Sequence, residues 1–329
     1  MNWNAFDFAP GDFARGRHGP PSQTGEMSIK KLTELIKAGY GQGHFQRYKP
    51  WLRVTKRDYS PNSNVGHLPA PTVGRAHHYR SRAERDTILL VKWLGAIDVR
   101  DAYPVWPWGH PHPGDGLGGF TNSPYQPGLL TVAKAAGIDH GRFPGTKLPY
   151  VATIDIMSTW RRVDGTLELI AFENKPEAIA YAPDPLLRPK ERLELIQRYC
   201  ASAQIKRILV HAEKFPRELI VNLDLIEPTW PLTAQEASRN SSAYRRLVDL
   251  LSIHGYTKSP FELIVSQASD TGIPISLLWT WFYLALWYQD VDHDIRAPLK
   301  TWMPLIPGGR KFQRQIRKDW VGGTNGQPI

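Results

Sequence analysis

Cysteine is almost absent from this sequence: Cys200 is alone among 329 residues. A single thiol excludes an internal disulfide framework and any zinc site that needs several cysteines. The sequence also contains neither a P-loop nor the glycine-rich fingerprint of dinucleotide-binding proteins. Two large classes of nucleotide-dependent enzyme are thereby excluded, and a reducing cytoplasm fits the composition.

Long hydrophobic runs are missing as well. The most apolar stretch is Ile275–Tyr288, which is too short to span a bilayer comfortably and is closed by Gln289 and Asp290. The N-terminus is polar and aromatic, without the apolar region of a secretory signal. We therefore expect a cytoplasmic protein in which Ile275–Tyr288 is a core helix.

Acidic residues are too few to balance the basic ones. The chain has 41 lysines and arginines against 31 aspartates and glutamates, for a formal net charge of +10. Such an excess favours a polyanionic partner, although a basic surface that binds nothing is the alternative. Residues 308–329 are predicted to form a basic tail, which either touches DNA or an acidic protein surface or is only solvated.

The length and the order of patterns predict two main domains. Residues 1–44 form an N-terminal extension, of which 1–25 are expected to be poorly ordered without a partner. Residues 45–227 alternate between helical and extended patterns, which predicts an α/β fold. Residues 228–307 are mostly helical, and a helix–turn–helix followed by a short strand at Val291–Ile295 predicts a smaller winged-helix-like domain. The patterns favour helices over 28–38, 81–94, 126–136, 189–202, 213–225, 244–254, 260–269 and 275–288, and strands over 96–105, 151–157, 167–172 and 206–211.

One group of acids and a lysine suggests chemistry. Asp155 lies within the strand pattern of 151–157, and Glu173 follows the strand pattern of 167–172. The dipeptide Asp164-Gly165 between them is a strong hairpin signal, so the two strands are expected to pair.

Alternation along a strand would turn Glu173 and Lys175 to one side and Asn174 to the other. Two carboxylates on adjacent strands can hold a hard divalent cation, and a lysine can serve an attacking water. Acids and lysines at strand ends are also common by chance, and such a pair can be an ordinary solvated ion pair.

Glu84 lies in the first turn of the helix predicted over 81–94. Ser81 three residues earlier makes a capping box, so Glu84 has a purely structural explanation beside a catalytic one. His110 and His112 occupy a loop rich in proline and glycine. They could ligate a metal, but two histidines without a further ligand are more often ordinary loop residues.

Several short stretches, in the same order along the chain, resemble the TnsA family, the endonuclease subunits of Tn-seven-type transposons. The resemblance covers roughly residues 45–227. It is carried by Tyr48–Leu52, Gly74–His78, Ser81–Arg85, Ile97–Pro104, Gly137–His140, Thr153–Asp155, Glu173–Pro176 and Leu193–Asn222.

The resemblance implies a restriction-endonuclease-like core, with a mixed sheet flanked by helices. It implies that Asp155 is the central metal ligand, that Glu84 completes the metal site, and that Lys175 orients or deprotonates water. Glu173 stands where some relatives have glutamine, and the carbonyl of Asn174 could supply one more oxygen. Glu191 and Glu194 could support the site, but salt-bridged surface glutamates are the alternative.

The resemblance also implies a function: a Mg²⁺-dependent DNA endonuclease, with Mn²⁺ expected to substitute, that cuts the 5′ ends of a transposon. The expected partners are double-stranded DNA at the transposon ends, a separate transposase (TnsB) that processes the 3′ ends, and an AAA+ ATPase (TnsC). The helix at Ile275–Tyr288 and the basic tail are the candidates for the ATPase contact. The alternatives are an assembly factor that bridges transposase and ATPase, and a bacterial repair or restriction nuclease outside transposition.

Overall fold

The computed structural model describes residues 27–54, 64–70, 74–183 and 188–322, so the extension predicted over 1–25 lies outside the described residues. The helices are α1 (Ile29–Lys37), α2 (Arg82–Trp93), α3 (Leu129–Ala136), α4 (Glu177–Ala180), α5 (Arg188–Ser202), α6 (Arg217–Ile226), α7 (Leu232–Asn240), α8 (Ser242–His254), α9 (Pro260–Thr271), α10 (Ile275–Trp287) and α11 (Gly309–Val321). The strands are β1 (Gly66–Ala70), β2 (Arg75–Tyr79), β3 (Asp98–Val105), β4 (Ala152–Arg161), β5 (Leu167–Asn174) and β6 (Lys206–Val210).

The described chain divides into two compact units. The first contains the residues up to His67 together with His77–Glu84 and Ile97–His211. The second contains Leu68–Ala76, Arg85–Ala96 and the residues from Ala212 onward. This division differs from the predicted limit at residue 227, because α6 packs against α10 and so belongs with the C-terminal helices.

A four-stranded mixed sheet forms the centre of the first unit, and it confirms the predicted α/β class. The strand order is β3-β4-β5-β6, with β3, β4 and β5 antiparallel and β6 parallel to β5. The hairpin between β4 and β5 turns at Asp164-Gly165 as expected: Gly165 has φ +82°, which only glycine adopts without cost. The Arg162 amide donates to the Thr166 carbonyl across this turn, at 2.8 Å.

The main core of the first unit lies between this sheet and helices α3 and α5. Met157 and Ala171 are cross-strand partners in β4 and β5, and both belong to this core. Side chains from α5, including the fully buried Tyr199, belong to the same core. Asp155 and Glu173 occur two residues from Met157 and Ala171 along the same strands, so the core face continues into the polar site.

Apolar helix α10 is the centre of the second unit, where it packs against α6, α8 and α9. Its buried side chains lie around most of its circumference, so the prediction of a core helix is confirmed. As an ATPase contact, α10 offers little exposed apolar surface beyond Ile275 and Leu277. No helix among the described residues combines the length and the apolarity needed to cross a membrane.

The strand predicted at Val291–Ile295 is wrong, because this segment is irregular. Hydrogen bonds of loop type hold it instead: the Asp294 amide donates to the Ile306 carbonyl at 2.7 Å, and the Ile306 amide donates to His293 Nδ1 at 3.1 Å. Without a ladder partner the segment forms no wing. Among the described residues from Ala212 onward the second unit is entirely helix and loop.

The basic tail predicted over 308–329 is also wrong as far as it is described, because Gly309–Val321 is helix α11. Apolar side chains on one side of α11 are packed: the Phe312 ring lies 6.2 Å from Trp93, and the Trp320 ring lies 6.2 Å from Phe215. The high basic content hid an amphipathic pattern whose apolar side stabilises the helix by burial. Residues 323–329 lie outside the described residues.

Candidate active site

The backbone ladder between β4 and β5 ends at the pair Ile156 and Phe172. If the register is continued by one residue, Asp155 comes opposite Glu173. At this point a side chain takes the place of a backbone acceptor: the backbone amide of Asn174 donates to Asp155 Oδ2 at 2.7 Å. The hydrogen bond orients the Asp155 carboxylate at the end of the strand pair.

Glu84 comes to the same place from the first turn of α2. The Ser81 hydroxyl accepts a hydrogen bond from the Glu84 amide and donates to Glu84 Oε1, both at 3.1 Å. Glu84 Oε2 accepts from the Arg80 amide at 2.8 Å. The capping role expected from the sequence is therefore present, and it fixes the Glu84 carboxylate within range of the Asp155 charge, which contributes to the raised pKa of Glu84.

The electrostatics of the acids show that they share one environment. Burial and the charge of Asp155 raise the pKa of Glu84 to about 7. Burial raises the pKa of Glu173 to about 7 as well, and Asp155 contributes to this shift. Burial also raises the pKa of Asp155, against the opposing effect of its hydrogen bond from Asn174. Carboxyl groups that disfavour each other's ionisation are typical of functional sites.

The carboxylate of Glu173 has a direct partner that the sequence did not indicate. Arg207 Nε on β6 donates to Glu173 Oε2, and both side chains are about nine-tenths buried. Arg207 Nη1 also donates to Gln197 of α5 at 3.1 Å. Arg207 lies opposite Ala171 in the parallel register, on the face that Glu173 shares. The segment 206–211 does not alternate between polar and apolar residues, so its sequence carries no signal for this pairing.

Lys175 is held by its backbone at the end of β5. Its amide donates to the Val210 carbonyl at 3.1 Å, and its carbonyl accepts from His211 Nδ1 at 2.7 Å. Its positive charge lowers the pKa of both Asp155 and Glu173, so the ammonium group lies within electrostatic range of both acids. The part of the chain that is described contains no ion-pair partner within 4 Å of this ammonium group.

The carboxylate oxygens of the site are of the type that a magnesium ion prefers as ligands. Within the described ranges, no three or more histidine, cysteine, aspartate or glutamate side chains are grouped as a metal site. Magnesium, however, commonly binds proteins through one or two carboxylates and keeps several waters. Asp155 and Glu84 are two such carboxylates with raised pKa values, whereas Arg207 already neutralises Glu173. A cation beside Asp155 and Glu84 would relieve their mutual repulsion.

Backbone strain occurs opposite Asp155. The register of β3 and β4 pairs Asp101 with Ile156 and Tyr103 with Ile154, and it omits Ala102. Ala102 has φ +46°, which a residue with a Cβ adopts only at a cost. Strained residues of this kind cluster at functional sites, where the surrounding structure holds them.

The structure gives His110 and His112 structural roles. His110 Nδ1 donates to the Trp108 carbonyl and Nε2 accepts from the Tyr199 hydroxyl, at 2.9 and 2.8 Å. His112 Nε2 donates to the Ala203 carbonyl at 2.8 Å, and Nδ1 accepts from the Gly114 amide at 3.0 Å. All four ring nitrogens are engaged, so a metal site at this pair is wrong.

Glu191 and Glu194 form ion pairs on α5. Glu191 accepts from Arg188 at 2.7 Å, and Glu194 accepts from Arg198 at 2.6 Å. Glu194 is also half exposed. The salt-bridge interpretation is therefore the correct one, and neither residue is directed into the site by these contacts.

Comparison with known proteins gives one informative similarity. No model of a known protein family matches the chain. The chain is 29% identical over 185 residues to the transposon Tn7 transposition protein TnsA of Escherichia coli. The alignment covers 54% of this chain and 55% of that protein, so the chain spans about half the length of the relative that it matches. This identity supports a relationship to TnsA.

Proposed function

We propose that the protein is the metal-dependent DNA endonuclease subunit of a transposition machine, which cuts 5′ transposon ends while a separate transposase processes the 3′ ends. The proposal combines the similarity to a Tn7 transposition protein with one structural observation. Asp155, Glu84, Glu173 and Lys175 share one electrostatic environment at the end of β4 and β5. Acids beside a lysine suit the hydrolysis of a phosphodiester.

Asp155 and Glu84 would hold the Mg²⁺ ion, for which Mn²⁺ can substitute, and a carbonyl oxygen of Asn174 could complete the protein ligands. When bound, the ion would polarise the scissile phosphate and stabilise charge on the leaving oxygen. Lys175 contributes an ammonium group that attracts the phosphate and orients a water molecule toward it. Arg207 holds Glu173 in place, so that this carboxylate keeps one orientation.

Glu84 is also suited to proton transfer when no metal is bound to it. Its pKa of about 7 places it near the pH at which a general base works best. The hydrogen bonds that it accepts from the Arg80 amide and the Ser81 hydroxyl fix the carboxylate without neutralising it. A cation at the site would lower this pKa and convert Glu84 into a ligand.

The sharpest test is reconstitution with the cognate transposase (TnsB), the AAA+ ATPase (TnsC) and transposon-end DNA, with 5′-strand breaks mapped at nucleotide resolution. We expect Lys175→Ala and Asp155→Asn to abolish the 5′ breaks while the 3′ breaks and the assembly persist. Lys134→Ala is the matched control, because Lys134 is an exposed lysine on α3 of the same unit. Full 5′ cleavage by either site variant would refute the proposal.

The same reaction separates the alternatives. A protein that only bridges transposase and ATPase would lose assembly, and not 5′ cleavage alone, when its function is damaged. A repair or restriction nuclease would cut without the transposase and away from transposon ends. The bridging alternative has weaker structural support, because most of the apolar side chains of α10 are buried.

A further inference from the structure

The second unit contains a large groove, lined mainly by charged residues, that the proposed catalysis does not use. Its volume is about 830 Å³, and α7, α8, the residues after α10, and α11 line it. Three acids lie among its lining residues, namely Glu236, Asp249 and Asp290. Five arginines outnumber them: Arg239, Arg245, Arg310, Arg314 and Arg317.

Helix α11 supplies three of the five arginines from one side. Positions 310, 314 and 317 are separated by four and three residues, which places them along one face of a helix. The opposite side of α11 carries Phe312, whose ring packs against the Trp93 ring of the second unit. The packing of the apolar side therefore directs a row of guanidinium groups into the groove.

Two of the arginines are part of the groove's own structure. Arg239 forms two hydrogen bonds of 2.8 Å with the Asp290 carboxylate and lies 4.0 Å above the Tyr288 ring. Arg310 donates to the backbone carbonyls of Gln289 and Asp290. Their charges are thus already used to shape one end of the groove.

The other three arginines have no carboxylate partner in the described part of the chain. Arg245 and Arg317 make no side-chain ion pair there, and Arg314 uses only Nε, to its own helix at Arg310. Arg317 is about half buried, and this burial lowers its pKa from the ordinary value. A guanidinium group without an acid partner can bind an external phosphate oxygen through charge-assisted hydrogen bonds.

We propose that this groove binds the phosphate backbone of duplex DNA through Arg245, Arg314 and Arg317. The identity of the polyanion rests on the proposed function, whereas the groove itself does not. An acidic protein segment is the competing occupant, but protein interfaces have an apolar centre depleted in charge. Here Val248 and two tyrosines are the main nonpolar contributions to a charged lining, which is typical of DNA-binding surfaces.

The test measures affinity for a 30-base-pair duplex by fluorescence anisotropy, with the full chain in EDTA so that cleavage does not interfere. We expect Arg314→Gln/Arg317→Gln to bind roughly tenfold more weakly and to reduce the slope of log K against log salt by about 2, since each lost phosphate contact accounts for about 0.9. The matched control is Lys311→Gln/Lys318→Gln, which removes the same charge from α11 outside the groove lining. Asp249→Asn removes an acid from the lining and is expected to tighten binding.

Equal effects of the two double variants, or no effect of either, would overturn the proposal, as would a parent protein that does not bind the duplex. Thermal unfolding of each variant checks that the helix is intact, and Asp249→Asn keeps the test decisive if the arginine pair unfolds it. The two proposals can fail separately. If DNA binding depends on the groove but the protein never cleaves, the endonuclease function is refuted and the groove assignment stands.

Discussion

The substitution Asp155→Asn should make the sheet more stable while it abolishes cleavage. Asparagine keeps an oxygen that can accept the hydrogen bond from the Asn174 amide, which is 2.7 Å long in the parent. It removes a buried negative charge that disfavours ionisation of Glu84 and Glu173. Functional sites often carry such unfavourable interactions, so removing one exchanges activity for stability.

The magnitude follows from the two glutamates. The pKa of each is about 7 instead of 4.5, and one pKa unit corresponds to about 1.4 kcal/mol, so each ionised carboxylate is disfavoured by about 3–4 kcal/mol. Burial is the largest cause for both, and Asp155 is a smaller one. Asp155 is thus a minor contributor, and the substitution should stabilise the protein by on the order of 1 kcal/mol at pH 8.

The pH dependence has a definite sign. A carboxyl whose pKa is higher in the folded state binds its proton more tightly there, so stability falls as pH rises from the unfolded value to the folded one. For Glu84 and Glu173 this interval runs from 4.5 to about 7. The parent should therefore lose stability across this interval, and Asp155→Asn should lose less. Their difference should be smallest at pH 5 and largest at pH 8.

Hydrogen exchange read by mass spectrometry measures this in the first unit alone. Peptides covering β4 and β5 would be followed at pH 5, 6, 7 and 8 in EDTA, with correction for intrinsic exchange rates. Asp164→Asn is the control: it removes the same charge from the same hairpin at a fully exposed position. Mutual repulsion would be refuted if β4 and β5 were less protected from exchange in Asp155→Asn than in the parent at pH 8. It would also be refuted if Asp164→Asn gained as much protection as Asp155→Asn.

Three further expectations concern the same sheet. Arg207→Gln leaves the buried Glu173 without its cation, so it should lower the unfolding free energy by about 3 kcal/mol at pH 8 and by less at pH 6, where the carboxyl is protonated. Adding Glu173→Gln should recover most of this loss in a double-mutant cycle read by urea denaturation, and a purely additive result would contradict the pairing. Ala102→Gly should stabilise the protein by up to about 1 kcal/mol, because glycine adopts φ +46° without strain. The control Ala152→Gly lies in regular strand and should destabilise the protein. Thermal unfolding of both variants measures the two effects. Millimolar Mg²⁺ should increase the protection of β4 and β5 in the parent at pH 8 but not in Asp155→Asn, and equal effects would argue against a cation at Asp155.

Local signals predicted the hairpin that carries the site. Asp164-Gly165 specifies a tight turn from neighbouring residues alone, and alternation along the strands then places Asp155 across from Glu173. The cap formed by Ser81 and Glu84 was predictable for the same reason, since it spans only three residues. Each of these features depends on backbone geometry within a few residues.

Features that depend on distant pairing were missed. Arg207 meets Glu173 because β6 returns parallel to β5 after α5, and no local pattern sets that register. Helix α11 was read as a tail because its charges dominate its composition, although Phe312 and Trp320 pack on rings far away in sequence. The strand prediction at 291–295 was wrong because a strand needs a neighbouring strand to pair with, and this segment has none among the described residues.

The amino-acid sequence by itself determined that this is a basic α/β protein with an acidic hairpin end, a lysine two residues on and a buried apolar helix, because composition and short-range periodicity act through the backbone locally. Only the tertiary structure decided that Arg207 neutralises Glu173, that Glu84 lies beside Asp155, and that three arginines without acid partners line one groove. Those outcomes depend on burial and on charges brought together from distant segments. Electrostatic energies depend on distance in space and on the exclusion of water, and neither quantity can be derived from the separation of two residues along the sequence.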